Sequence, residues 1–336
     1  MLRIGFFGGG DQAMAGLSAL AKHFTIAFIR PRFDNDPVRR VDAPLLETEN
    51  INAAESVAFV RAHKPDLIVS LNERSILGRE LLAIPKLGAI NLHNGLLPRQ
   101  GGGGGAYSGI VNGEPPGMTI HFMDEGADTG DIIAQMEFAA SDTMTMAECQ
   151  TMFREATADF LLSAVRQIEA GTVKRTPQAG RPFHYTPAKP EWDELIDWTQ
   201  PAKHIYDKVR ARTPGPRNFY LYENLRHFVL AAELEPLLLP NPVPPGQVIR
   251  RDKKRGVLVK TGDTGIWIRR IRVEGFRRDG PIDGPEHIPA HRVSAMLCYN
   301  LTKEVHELRK AVAELRRLLH AEPQRSTAHA DELTGD

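Results

Sequence analysis

Asn91 and His93 stand two residues apart in the apolar run GAINLHN (88–94). On a β-strand that spacing sends both side chains to the same face. An amide is a hydrogen-bond donor, and an imidazole carries or releases a proton near neutral pH. A lone histidine in an apolar strand is more often a hydrogen-bonded core residue, but an asparagine beside it at the end of the strand favours chemistry. The run MDEGADTGDI (123–132) sets four acids and two glycines directly after another apolar strand. Its plainest reading is a tight turn, because Asp and Gly dominate turns. Between the two lies LLPRQGGGGG (96–105), where Arg99 and Gln100 lead into Gly101, Gly102, Gly103, Gly104 and Gly105. Glycine loses more backbone freedom on folding than any other residue, so the run is costly unless something needs bare backbone. A fourth feature, GGGDQA at 8–13, fits the loose G-x-G-x-x-A pattern that cradles a dinucleotide pyrophosphate. The next strand ends IRPR, so Arg30 or Arg32 could take a 2′-phosphate there. The first turn of an α/β sheet, however, needs glycine for geometry alone.

Elements must carry these residues. Short runs rich in Ile, Val and Phe at 2–8, 24–29, 65–71, 88–94 and 117–123 alternate with helical patterns such as 53–63. Strands alternating with helices imply an α/β fold, a Rossmann-like, mostly parallel sheet whose crevice lies at the carboxyl ends of the strands. A long helix is expected at about 146–170, opened by a Thr145/Glu148 capping box and carrying Met146, Cys149, Phe153, Phe160 and Leu161 on one face. The first domain is expected to span 1–175, and a proline-rich linker 176–200. A helix near 201–211 and short strands separated by Pro and Gly imply a small, OB-like β-barrel domain at 201–297. From 298 to 320, Leu301, Val305, Leu308, Val312, Leu315 and Leu319 repeat at 4-3 spacing, the pattern of a coiled-coil helix. Val at two a positions with Leu at each d favours a parallel pair, so a homodimer is expected. Residues 321–336 are polar and read as a disordered tail.

Composition narrows the classes. The 336 residues carry 42 basic and 42 acidic side chains, so no global field favours nucleic acid or an anionic membrane. The two cysteines, Cys149 and Cys298, match no disulfide or metal pattern, and histidines such as His121, His184 and His204 are scattered without ligand spacing. No metal is expected. No apolar run approaches the roughly 18 residues of a membrane helix, and the chain opens directly on a strand, so a cytoplasmic protein is expected.

INLHNGLLP followed by MDEGADTGDI resembles the N10-formyltetrahydrofolate-dependent formyltransferase family. The lead-in PKLGAINLH, the PQ after the long helix, IDWTQPAKHIYDKVRA, GQVI and GVLVKTGD extend the likeness over nearly the whole chain. The resemblance implies that Asn91, His93 and Asp128 form a catalytic trio. Formyl transfer from a tertiary nitrogen to an amine passes through an oxyanion, which Asn91 and a protonated His93 would stabilise. Asp128 would keep the imidazole charged and accept the proton lost by the amine. The co-substrate is implied to be N10-formyltetrahydrofolate, docked on the loop SLNERSILG (70–78), with Leu71, Asn72, Arg74, Ile76, Leu77, Asp124 and Gly126 as its contacts. Many relatives carry a basic residue and an R-G-A-P-like run after LLPR. Here Gln100 and the glycines stand instead, which implies a mobile loop making room on the acceptor side.

Relatives that formylate initiator methionyl-tRNA use a basic insertion after the second strand. Here RPRFDNDPVRRVDAP is short and diluted by Asp34, Asp36 and Asp42. Residues 250–278 hold eleven Lys/Arg against three acids, which reads more simply as a solvated barrel face than as a tRNA stripe. The phrase GEPPGMTIHFMDEGADTGDII looks closer to small-amine members, above all those acting on nucleotide-linked amino sugars. A hydroxyornithine-like amine and methionyl-tRNA are the alternative acceptors. From a different class, an NADP-binding oxidoreductase would use the first glycine turn.

Overall fold

The computed structural model describes residues 1–178, 194–213, 215, 217–222, 225–237 and 243–274. The expected coiled-coil helix, the tail and most of the linker lie outside these. The first domain runs β1 (Arg3–Gly8), α1 (Asp11–Ala21), β2 (Thr25–Arg30), a 3-10 turn (Pro37–Arg40), α2 (Ala54–His63), β3 (Leu67–Leu71), α3 (Arg79–Leu82), β4 (Ala89–His93), α4 (Gly105–Asn112), β5 (Gly117–Phe122), β6 (Ile132–Glu137) and α5 (Met146–Glu169). Alternation along the strands feeds two cores. Ile4, Phe6, Val69, Leu71, Ile90 and Leu92 pack on one side with Leu17, Leu20, Phe153 and Leu161 of α1 and α5. Phe7, Ile68 and Ala89 pack on the other with Val57, Val60 and Leu81 of α2 and α3. α5 starts at the Thr145/Glu148 capping box, both halves of which are made. Its Cys149 thiol, pushed up to about 12 by burial, is core filling and not a nucleophile.

The sheet order is β2-β1-β3-β4-β5-β6. β2, β1, β3 and β4 are parallel, and β5 pairs antiparallel with both β4 and β6, so β5 alone runs opposite to the other strands of this sheet. The parallel expectation for 117–123 is therefore corrected. Residues 94–116, with α4 among them, join β4 to β5, and β5 enters from the opposite end. Strand β6 extends the acid-rich turn into a hairpin that the sequence reading treated as turn alone.

The second domain contains α6 (Ala202–Arg210), β7 (Phe219–Tyr222), β8 (Leu225–Leu234), β9 (Val248–Asp252), β10 (Gly256–Lys260) and β11 (Gly265–Val273). These strands form an antiparallel sheet ordered β7-β8-β11-β10-β9, and no pairing joins β7 to β9 among the described residues. The expected barrel is thus an antiparallel sheet here, with α6 on one face. Ile196 and Trp198, placed in the linker by sequence, pack with Ile205, Val209, Tyr220 and Ile268 in this domain's core. At the other end of that stretch, Thr176 bridges β6 of the first domain. The domains meet at Arg210. Its guanidinium donates to the carbonyls of Met144 (2.6 Å) and Ile110 (3.2 Å) and to Asp207 (2.7 Å), while Arg212 lies 4.0 Å from the Tyr107 ring centre.

Candidate active site

β4 ends at the carboxyl edge of the sheet, where Asn91 and His93 share the face of Ala89. The antiparallel neighbour β5 sets His121 directly across from Asn91. The turn between β5 and β6 then brings back Asp128, a non-glycine residue held at φ 59°. The three sequence-predicted residues therefore converge, and a fourth joins them.

His93 is buried, and its Nε2–H donates to the Gln100 carbonyl at 2.6 Å. That bond leaves Nδ1 as the edge facing Asp128 Oδ2, 3.5 Å away. Burial draws the His93 pKa below the ordinary value, although Asp128 and the Gln100 bond push it upward. Desolvation outweighs the neighbouring carboxylate, so burial favours the neutral ring, against the charged one that the family resemblance implied. Burial alone would raise Asp128. His121, His93 and the Gly102 amide outweigh it and draw the carboxyl to about 2. Nδ1 of His93 and the Asp128 carboxylate face each other across 3.5 Å, which is a place to hold a proton.

His121 was set aside at the sequence level as one of several scattered histidines. In the fold its Nδ1–H donates to the Phe122 carbonyl at 2.7 Å. Its Nε2 accepts from Asn91 Nδ2 at 3.2 Å and lies 3.6 Å from Asp128 Oδ1. It orients the Asn91 amide and flanks the acid on the side opposite His93. The available signal was a histidine in a strand with every residue buried. A second group missed in sequence is Gln12, which exchanges hydrogen bonds with Asn94 (3.0 and 2.9 Å) and donates to Thr157 (3.0 Å) beneath the end of β4.

The glycine run is packed, not open. Gln100 is fully buried: its Oε1 accepts from the Leu96 amide at 2.9 Å, and its Nε2 donates to Glu114 at 2.9 Å and to the Pro115 carbonyl at 3.2 Å. Gly101 and Gly102 are buried, Gly103 is exposed, and Gly104 caps α4. Gly102 adopts φ 83° and donates its N–H to Asp128 Oδ2 at 2.8 Å. A Cβ on Gly105 would lie 2.3 Å from the Gln100 carbonyl oxygen and 2.9 Å from His93 Nε2. The bare backbone is needed for close approach to the histidine, and the run packs as a tight cover over it. Arg99 is exposed at its rim.

The residues expected at the folate divide. The side chains of Leu71 and Leu77 are fully buried in the two cores, which leaves their backbone groups as what they could offer a folate. Asn72 sits at φ 59°, and Arg74 and Ile76 are exposed on the loop after β3. Asp124 accepts from the Gly126 amide (3.0 Å) and from Thr129 Oγ1 (2.6 Å), bracing the turn that carries Asp128. At the first glycine turn, Gly10 N–H donates to Asp36 Oδ1 at 3.1 Å. Arg30 pairs with Glu73 at 2.7 Å, so the phosphate role considered for it is taken by an internal carboxylate. Among the described residues, no group of three or more His, Cys, Asp or Glu could hold a metal, and no helix is long and apolar enough to cross a membrane.

An amide, an imidazole and an ionised carboxylate meet at a strand end, and the sequence matches the formyl transferase family over residues 28–165 and that family's C-terminal domain over 190–278. The chain belongs to the formyl transferase family. A relative described as methionyl-tRNA formyltransferase from Carboxydothermus hydrogenoformans is 30% identical over 296 residues, covering 82% of this chain and 94% of the relative. Among solved structures, WlaRD, a sugar 3N-formyl transferase with dTDP and 5-N-formyl-THF, superposes with a TM-score of 0.59 at 16% identity, covering 82% of this chain and 99% of the other. HypX from Aquifex aeolicus in complex with tetrahydrofolic acid superposes with a TM-score of 0.57 at 20% identity, covering 83% of this chain and 46% of the other. At those identities the structures establish the shared fold. The formyltransferase is a one-carbon transferase whose formyl donor is N10-formyltetrahydrofolate.

Proposed function

We propose that this formyltransferase acts on the primary amine of a small molecule, with a nucleotide-linked amino sugar as the acceptor, a reading supported by the run GEPPGMTIHFMDEGADTGDII. Asn91, His93 and Asp128 carry the chemistry. The amine nitrogen attacks the formyl carbon and the carbonyl π electrons move to oxygen, where the Asn91 amide meets the developing charge. The amine's proton passes to the Nδ1 edge of His93 beside Asp128, and the positive charge of the imidazolium stabilises the oxyanion electrostatically. Collapse re-forms the carbonyl and breaks the bond to N10, which takes the proton. On the loop after β3, the exposed Ile76 offers an apolar surface to the aryl ring of the donor, and Arg74 offers a cation to its glutamate carboxylates.

The observation favouring a small acceptor is that arginines in the two basic stretches are tied to the protein's own acids. Arg39 is held bidentate by Glu47 after β2. On the second domain Arg255 pairs with Glu233 (2.6 Å) and Glu235 (3.4 Å), Arg269 with Glu233 (3.5 Å) and Arg250 with Glu235 (4.0 Å). Such pairing offsets part of the attraction these cations would offer a phosphate. Methionyl-tRNA is the second reading, because the relatives bearing that name match both domains. A screen of amines with the formyl donor, read by folate product absorbance and acceptor mass, tests the proposal. Formylation of amino sugar nucleotides at rates well above other amines supports it. Steeply salt-dependent binding of initiator tRNA, lost when Arg250, Arg251, Lys253 and Lys254 are neutralised, transfers the assignment to tRNA. The heptad seam at 301–319 favours a homodimer, which light scattering on the full chain reads directly: a monomer at micromolar concentration overturns it.

A further inference from the structure

Asp128 has a backbone that few side-chain-bearing residues adopt, and something must hold it there. Its turn is braced from inside by Asp124, through the Gly126 amide and the Thr129 hydroxyl. Glycines at its ends permit close approach, since a Cβ on Gly130 would lie 2.0 Å from the Phe122 carbonyl oxygen. None of these bonds reaches the main chain of Asp128 itself. One side chain does. Gln178, fifty positions downstream, donates from Nε2 to the Asp128 carbonyl at 2.9 Å and to the Gly130 carbonyl at 2.7 Å. It is buried, and its segment is locked to β6 by reciprocal bonds of 2.9 Å between Thr176 and Ile132.

We infer that Gln178 is a positioning residue for catalysis: its amide clamps both carbonyls of the turn and thereby aims the Asp128 carboxylate at His93 and His121. Two donors on one rigid amide fix the spacing of the two carbonyls. Those carbonyls bracket the backbone from Asp128 to Gly130, so their spacing sets where the carboxylate points. Among the described residues the Oε1 of Gln178 has no hydrogen-bond partner, so there the side chain is held by its donor half. Released from the clamp, Asp128 can relax to the commoner right-handed backbone, which would carry its carboxylate away from the 3.5 Å approach to Nδ1 of His93. The role rests on the proposed part played by Asp128 in proton transfer.

Two variants of the full-length protein test it. Gln178→Glu keeps the shape but sets oxygens against the carbonyls, and Gln178→Met keeps the length but removes both donors. In each, kcat should fall about 10- to 100-fold, as misplacement of a reacting group by about an ångström does, while KM for the formyl donor stays within about threefold. Asp128 raises the His93 pKa, so the titration midpoint of His93, followed by NMR, should move to lower pH in both variants, as it should in Asp128→Asn. Asn91, His121, Asp128 and the Gln100 carbonyl surround that ring, and only Asp128 is expected to shift. Thermal melts give the folded fraction. An unmoved His93 midpoint in both variants, or a rate loss that only tracks the folded fraction, overturns the inference. The titration needs neither donor nor acceptor, so failure of the acceptor assignment leaves it decisive.

Discussion

Two glycine clusters sit at the carboxyl edge of the same sheet, and in each a backbone N–H meets an aspartate. At the first, Gly10 donates to Asp36 at 3.1 Å; at the second, Gly102 donates to Asp128 at 2.8 Å. What surrounds each carboxylate separates them. Asp36 is buried and bound by further main-chain donors, Val38 N at 3.2 Å and Arg32 N at 3.4 Å, so its lone pairs are spent on holding a loop. Asp128 has one such amide and otherwise faces two imidazoles. A carboxylate filled by amides is structure; one left facing proton carriers is chemistry. The first turn looks like a phosphate cradle, but an internal anion already takes its Gly10 donor, which weighs against the dinucleotide reading.

Breaking the second aspartate should have the largest effect. Asp128→Asn and His93→Ala are each expected to cut turnover by at least about a hundredfold while the circular dichroism spectrum is unchanged. Near wild-type turnover at saturating substrates in either variant would remove the trio assignment. Breaking the first should cost stability instead. Asp36→Asn keeps one acceptor and turns a donor toward an amide, so unfolding should become easier by about 1–3 kcal/mol with kcat unchanged. A denaturant titration alongside steady-state rates separates the two outcomes, and a lost kcat at full folding would show that the first turn also serves the reaction.

The glycines sharpen the contrast further. Gly105→Ala must displace either the Gln100 carbonyl or His93, and we expect about a tenfold loss of kcat or more from that shift. Gly103→Ala meets nothing within 4 Å and lies on the surface, so stability should stay within about 0.5 kcal/mol and turnover should not change. Equal effects at the two positions would mean that the run acts through flexibility and not through close approach. The subtlest effect is on pH. Because burial depresses the His93 pKa, the acid limb of kcat/KM should lie below the ordinary histidine value, and rate should be lost as pH falls through it. A limb at or above the ordinary value would show that substrate binding, or a different group, controls it.

Much of this was legible in the chain. The helical spacing of Met146, Cys149, Phe153, Phe160 and Leu161 and the Thr145/Glu148 box mark α5 because helix periodicity and capping act over a few residues. The two-residue spacing of Asn91 and His93 sets their common face, because strand alternation is local. The family likeness adds Asp128. The tertiary structure alone decided the direction of β5 and with it the pairing that sets His121 against Asn91. It alone brought Asp36 to Gly10, Glu73 to Arg30 and Gln178 to Asp128, across separations of 26, 43 and 50 residues. Local periodicity says which side of an element a residue faces. Which donor satisfies which acceptor depends on where distant turns arrive in space, and burial then sets the charge each group carries.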